Sequence, residues 1–105
     1  MRVRYREIAE GDVARQYGYY LFEANVPAVA IRFRHAVTRT VQSLSDHPLV
    51  GLRVHSTISG YQNLRSWPVT GFEFIRIYYL VDGDVLRIIR VLHSMRDVRR
   101  IIENQ

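Results

Sequence analysis

The 105-residue chain has no cysteine, no lysine, only three prolines and only six glycines. Without thiols, disulfide staples, thiolate zinc sites and cysteine nucleophiles are all excluded, and a reducing, cytoplasmic setting is expected. The glycines are scattered, so no glycine-rich loop is available to cradle phosphates. A long apolar run is also missing. The opening MRVRYREI alternates charge with apolar residues and lacks the stretch that a signal peptide or a membrane span requires. His35, His47, His55 and His93 show neither paired spacing nor carboxylate companions, so no metal and no cofactor are expected. No repeat, linker or low-complexity segment divides the chain, which is expected to form one domain over 1–105.

What the chain has in quantity is arginine. All 15 of its basic side chains are arginine, against 10 acids, for a formal net charge of +5. Guanidinium forks grip phosphates and carboxylates bidentately and stay charged when partly buried, which suits an anionic partner. A GC-rich codon bias would give the same Arg-for-Lys replacement throughout. The densest stretch runs from Val85 to Arg100, where Arg87, Arg90, Arg96, Arg99 and Arg100 face the single acid Asp97. An anion-facing surface is therefore expected near the C-terminus.

Period-two alternation of Val3 and Tyr5 with Arg2, Arg4 and Arg6 predicts a strand over 2–8. From Glu10 the period becomes helical through Val13, Tyr17, Tyr20, Leu21 and Ala24, with Glu10 and Asp12 in a first turn whose dipole favours acids. Asn25-Val26-Pro27 breaks this helix, and a second one follows. Its stripe of Ala30, Phe33, Val37, Val41 and Leu44 continues as far as Ser45. So short a connection folds the two helices into a hairpin. After Asp46-His47-Pro48, residues 49–63 lack any period and read as a loop. Strands are predicted over 64–69, with Pro68 at an edge or bulge, and over 72–81 and 84–93, joined by an Asp82-Gly83 turn. Met95, Val98, Ile101 and Ile102 predict a short terminal helix.

The Asp82-Gly83 turn would pair Val81 with Asp84, Tyr79 with Leu86, Ile77 with Ile88 and Ile75 with Arg90. Both faces of this strand hairpin are then apolar, so both need cover. The helical hairpin covers one. The other, with Phe74, Tyr78, Leu80, Ile89 and Val91, is left either to the loop 49–63 or to a partner; the partner is the expectation adopted.

The stretches Leu64-Arg65-Ser66-Trp67-Pro68-Val69, Ile77-Tyr78-Tyr79, Val81-Asp82-Gly83-Asp84 and Ile89-Arg90-Val91-Leu92-His93-Ser94-Met95-Arg96-Asp97 closely resemble the C-terminal half of ParE toxins, in the ParE/RelE superfamily of plasmid-stabilisation toxins. In pattern the resemblance extends over nearly the whole chain. Ser94 departs from the glycine usual after the histidine, and Trp67 stands where phenylalanine is common. The resemblance implies an α+β fold of the RelE/ParE type: an N-terminal strand, a two-helix hairpin packed on an antiparallel three-stranded C-terminal sheet, and a short C-terminal helix. It also implies the toxin of a type II toxin-antitoxin system, held in a hetero-oligomer by a ParD-like antitoxin. That partner would be its only link to nucleic acid. The ParE branch is associated with poisoning DNA gyrase and the RelE branch with cutting messenger RNA on the ribosome.

Metal-free RNA cleavage needs a base, an acid and cations around one phosphate. Arg65, Arg90 and His93 are the candidates for it, but strand parity puts Arg90 and His93 on opposite faces unless a bulge intervenes. Inhibition by binding rather than turnover is therefore the expectation, with a RelE-type nuclease as the alternative. Target contacts are assigned to Arg65, Arg90, His93, Arg96, Arg99 and Arg100. Antitoxin contacts are assigned to Tyr19, Phe74, Tyr78, Leu80, Ile89 and Val91. Arg65, Arg90 and His93 read equally well as structural residues that order loops and turns.

Overall fold

A computed structural model describes residues 1–93 of the chain. The expected C-terminal helix, and with it Arg96, Arg99 and Arg100, lies outside the described residues. The order is β1 (Arg2–Tyr5), α1 (Glu7–Gly18), a π-helical turn (Tyr19–Glu23), α2 (Pro27–Asp46), β2 (Leu52–Arg53), β3 (Arg65–Val69), β4 (Phe72–Asp82) and β5 (Val85–His93). Among the described residues the strands form one five-stranded sheet in the order β1-β5-β4-β3-β2. The class is α+β as expected, but the sheet is larger than three strands. The N-terminal strand joins it parallel to β5, pairing Arg2 with Val85 through to Tyr5 with Ile88. Two residues of the loop after α2 add an antiparallel edge on β3.

The helices start and end for local reasons. α1 begins three residues earlier than its apolar period suggests, because Arg6 leaves the strand in an extended conformation and Glu7 and Glu10 occupy the first turn. Its last turn widens: the Ala24 amide donates to the Tyr19 carbonyl and the Val26 amide to that of Tyr20. Asn25 then takes φ +54°, a left-handed position that asparagine tolerates, and Pro27 opens α2. The whole expected stripe of α2, Ala30, Phe33, Val37, Val41 and Leu44, is buried. It faces Ile75, Ile77, Tyr79, Leu86, Ile88 and Val91 across the main core, with Trp67 packed at its margin.

The β4-β5 hairpin closes one residue later than expected. Asp82 pairs with Val85, so the turn is Gly83-Asp84. Glycine at the first central position takes φ +60° and Asp84 has no positive φ, the pattern of a II′ turn. An Asp82-Gly83 turn would have required positive φ at the aspartate as well. The resulting two-residue shift preserves the faces, and Tyr79 meets Ile88 instead of Leu86. A bulge changes them. Tyr79 pairs with Ile88 but Tyr78 pairs with Arg90, leaving Ile89 as the extra residue. Val91 thereby moves to the helix-covered side and Leu92 to the other.

The second face closes from within. Leu64, Tyr78, Leu80, Ile89 and Leu92 form a smaller core capped by Val54 and Tyr61 of the loop after α2. The expectation that a partner covers this face is corrected: Tyr78, Leu80 and Ile89 are buried by the chain itself. An aperiodic loop can supply apolar cover from two or three separate side chains, a contribution that a periodicity reading does not register. At Pro68 the expectation holds, since the β3-β4 register shifts between Pro68 and Val69 and β2 reaches only as far as Ser66.

Candidate functional site

β1 accompanies β5 only as far as Ile88, so the last residues of β5 form an open sheet edge beside α1. Asp12 of α1 fills that role of neighbour. Its Oδ2 accepts from the Val91 amide at 3.0 Å and from Arg90 Nε at 2.8 Å, and its Oδ1 accepts from Arg90 Nη2 at 3.0 Å. Arg15, one helical turn on, adds a longer contact of 3.3 Å. The Asp12 side chain is 1% exposed and that of Arg90 10%. This is a bidentate, nearly dry pair, the geometry in which a guanidinium is most strongly committed. Arg90, assigned from sequence to a target, is thus engaged within the fold.

Just beyond this pair a cavity of about 360 Å³ opens between the end of α1 and the ends of β4 and β5. Gln16 and Tyr20 form one wall, with Phe72, Phe74, Ile75 and His93 opposite. The His93 imidazole stacks on the Phe74 ring at 5.9 Å with an interplanar angle of 5°. Tyr20 anchors the floor by edge contacts to Phe33 at 5.6 Å and Phe72 at 5.8 Å, and Tyr19 lies against it at 5.7 Å. Phe74 is 65% exposed, Tyr19 52% and Phe22, on the same π-helical turn, 79%. Offset and edge-on rings of this kind bury area at low entropic cost, which is why aromatics anchor partner interfaces.

Arg65 sits elsewhere. It lies opposite Tyr79 on β3, two strands or roughly 10 Å from β5 by strand spacing. It donates to the Leu49 carbonyl at 3.1 Å and to that of Gly51 at 2.8 Å. Tyr79 completes the strap: its hydroxyl donates to the Pro48 carbonyl at 2.7 Å and accepts from the Gly51 amide at 2.9 Å. Burial raises the Tyr79 phenol above its ordinary pKa, against the opposing pull of the Gly51 amide and Arg65.

Of the residues assigned from sequence, the fold brings Arg90 and His93 to the flank of α1. The bulge at Ile89 precedes both residues, so strand parity still sets them on opposite faces as expected, Arg90 opposite Tyr78 and His93 opposite Ile75. Arg65 is not brought to them. Phe74 lines the aromatic cavity and Tyr19 lies against Tyr20 of its wall, whereas Tyr78, Leu80, Ile89 and Val91 are interior. Asp12 was read from sequence only as a first-turn acid. The signal for its true role is its place three residues after Ala9 and one before Val13, inside the buried face of α1. Among the described residues no group of three or more His, Asp or Glu side chains is placed to hold a metal, and no helix is long and apolar enough to cross a membrane.

A family model for the ParE toxin of the type II toxin-antitoxin system, parDE, matches residues 3–98. Among solved structures, a chain of the chromosomal ParDE TA system from P. aeruginosa is similar in fold, with a TM-score of 0.67 at 18% identity. The match covers 89% of this chain and 95% of that one. No curated protein matches the chain in sequence.

Proposed function

The chain belongs to the ParE toxin family of type II toxin-antitoxin systems, and from that premise we propose that a ParD-like antitoxin neutralises it by docking on the aromatic cavity beside α1. Released in the cytoplasm, the toxin inhibits growth by binding its target, DNA gyrase, and not by turnover. The observation that carries the docking reading is the exposure of Phe74 in the wall of an open cavity, with Tyr19 and Phe22 exposed on the adjoining π-helical turn. An apolar helix or extended segment of the antitoxin would bury these rings as anchors. Support for a partner of this kind also comes from the similarity to a chain of a ParDE system.

The binding reading is supported over a nuclease by how the cations are used. Arg90 is held by Asp12 and Arg65 by two loop carbonyls, and the two belong to different parts of the sheet. A phosphorane would require their guanidinium groups to converge and to leave their present partners. The alternative remains a RelE-type, ribosome-dependent mRNA endonuclease. Expression without antitoxin separates the two. Filamentation with a DNA-damage response, and loss of supercoiling by purified gyrase on adding the toxin, is the expected result. Fresh codon-linked cuts in primer extension on translated messages, with supercoiling intact, would replace this reading by the nuclease.

A further inference from the structure

Strand alternation places Arg2, Arg4 and Arg6 on one face of β1, while Tyr5 turns into the helix-covered core. The parallel register sets Arg4 directly beside Arg87 of β5. Like charges in register across neighbouring strands destabilise a sheet, so the arrangement needs an offsetting charge. The acids nearby supply little of it. Asp84 lies 3.8 Å from Arg2 and Asp82 3.8 Å from Arg87, at the outer limit of an ion pair and with exposed side chains on both sides. Arg4 has no acid partner among the described residues. Arg6 donates to the Tyr61 hydroxyl at 2.9 Å, which holds its guanidinium on the same side of the sheet.

We propose that this arginine face of β1 and β5 binds the phosphate backbone of duplex DNA. Along the strand, alternate side chains repeat at about 6.6 Å, with the adjacent strand about 4.8 Å away. That spacing offers a line of guanidinium forks to successive phosphates of one strand, each fork able to bond bidentately. A protein partner fits less well. Among the described residues of β1 and β5 no large apolar side chain is exposed on this face, whereas protein interfaces have an apolar centre and protein-DNA interfaces are polar and strongly basic. A single strand fits less well for a separate reason. Its binders stack bases on exposed rings, and the ring nearest this row, Tyr61, is half-buried with its hydroxyl engaged. The inference rests on the charge geometry alone and does not depend on which target or antitoxin the toxin engages.

The test is fluorescence anisotropy of a labelled random-sequence duplex with the purified full chain over a range of salt. Four arginines on phosphates should give a slope of log affinity against log salt between about −3 and −4. The double variant Arg4→Gln/Arg87→Gln should flatten that slope by about two. Its thermal midpoint should not fall, because the change relieves a like-charge pair. The single variant Arg4→Gln should flatten the slope by about one, and provides the same reading if the double variant folds poorly. Arg39→Gln, exposed on α2, should leave the slope unchanged. Absence of duplex binding by the wild type, or an unchanged slope in the Arg4 variants, overturns the proposal. So does stronger competition by single-stranded DNA or by poly-glutamate than by unlabelled duplex.

Discussion

Both faces of the β4-β5 hairpin carry a buried core, yet they are closed in different ways. On one, a twenty-residue helix lays down a continuous stripe, and Phe33, Val37, Val41 and Leu44 pack row by row against Ile77, Tyr79 and Ile88. On the other, Val54 and Tyr61 of an irregular loop and Leu64, the residue before β3, cover Tyr78, Leu80 and Ile89. Regular secondary structure buries a face through periodicity; a loop does so only where its own backbone is held in place. Here the holding is explicit, since Arg65 and Tyr79 fasten residues 48–51 by four hydrogen bonds from the helix-covered side of the sheet. The second core therefore depends on residues that belong to the first.

The largest expected effect falls on the buried pair beside the open edge of β5. Asp12→Ala strands Arg90 and the Val91 amide without their acceptor, and loss of one partner of a buried pair costs about 3–5 kcal/mol. Chemical denaturation of the isolated toxin should show it. A loss below about 1 kcal/mol would mean that water takes over as acceptor, leaving the edge adequately closed. The pair Ile77→Ala and Ile89→Ala compares the faces directly. Both side chains are at most 1% exposed, so each should lose about 2–5 kcal/mol despite the difference in cover. If Ile89→Ala costs much less, the loop-covered face is looser than its burial indicates.

Smaller effects sharpen the link between the faces. A Cβ at Gly51 would run into the Tyr79 ring, so Gly51→Ala should force the strap apart and cost about 1–3 kcal/mol. Protease cleavage within 49–63 should accelerate in this variant, and an unchanged cleavage rate would uncouple the strap from the second core. Alkaline pH probes the same contact. Burial raises the phenols of Tyr5 and Tyr79 above their ordinary 10.0, with Glu10 adding to the effect at Tyr5. A raised folded pKa stabilises the protein fully below pH 10 and loses that contribution as pH climbs through the folded value. Ultraviolet titration should show Tyr5 and Tyr79 ionising late, and Tyr79→Phe should remove one late step. Least disruptive of the fold is Phe74→Glu, which should shift stability by no more than about 0.5 kcal/mol because the ring is exposed. Its effect should appear in antitoxin affinity, measured by calorimetry; undiminished binding would move the docking surface away from the cavity.

From the sequence alone, the order of β1, the two helices and the strands β3 to β5, the stripe of α2, the bulge-prone position of Pro68 and the family resemblance were all legible. Each is written in local spacing or in the limited conformations of proline, and neither needs knowledge of distant contacts. Only the tertiary structure decided which neighbour β1 chose, how the hairpin bulged and what became of the charged residues. The bulge at Ile89 changes the side taken by Val91 and Leu92, an outcome that two-residue periodicity cannot encode. Asp12 meets Arg90 across 78 positions of chain, and Arg65 meets the Leu49 and Gly51 carbonyls only after the loop folds back over the sheet edge. Sequence spacing sets which side chains share a local face. Whether an arginine there waits for a partner or already holds one depends on acceptors delivered by distant elements, and that is a property of packing.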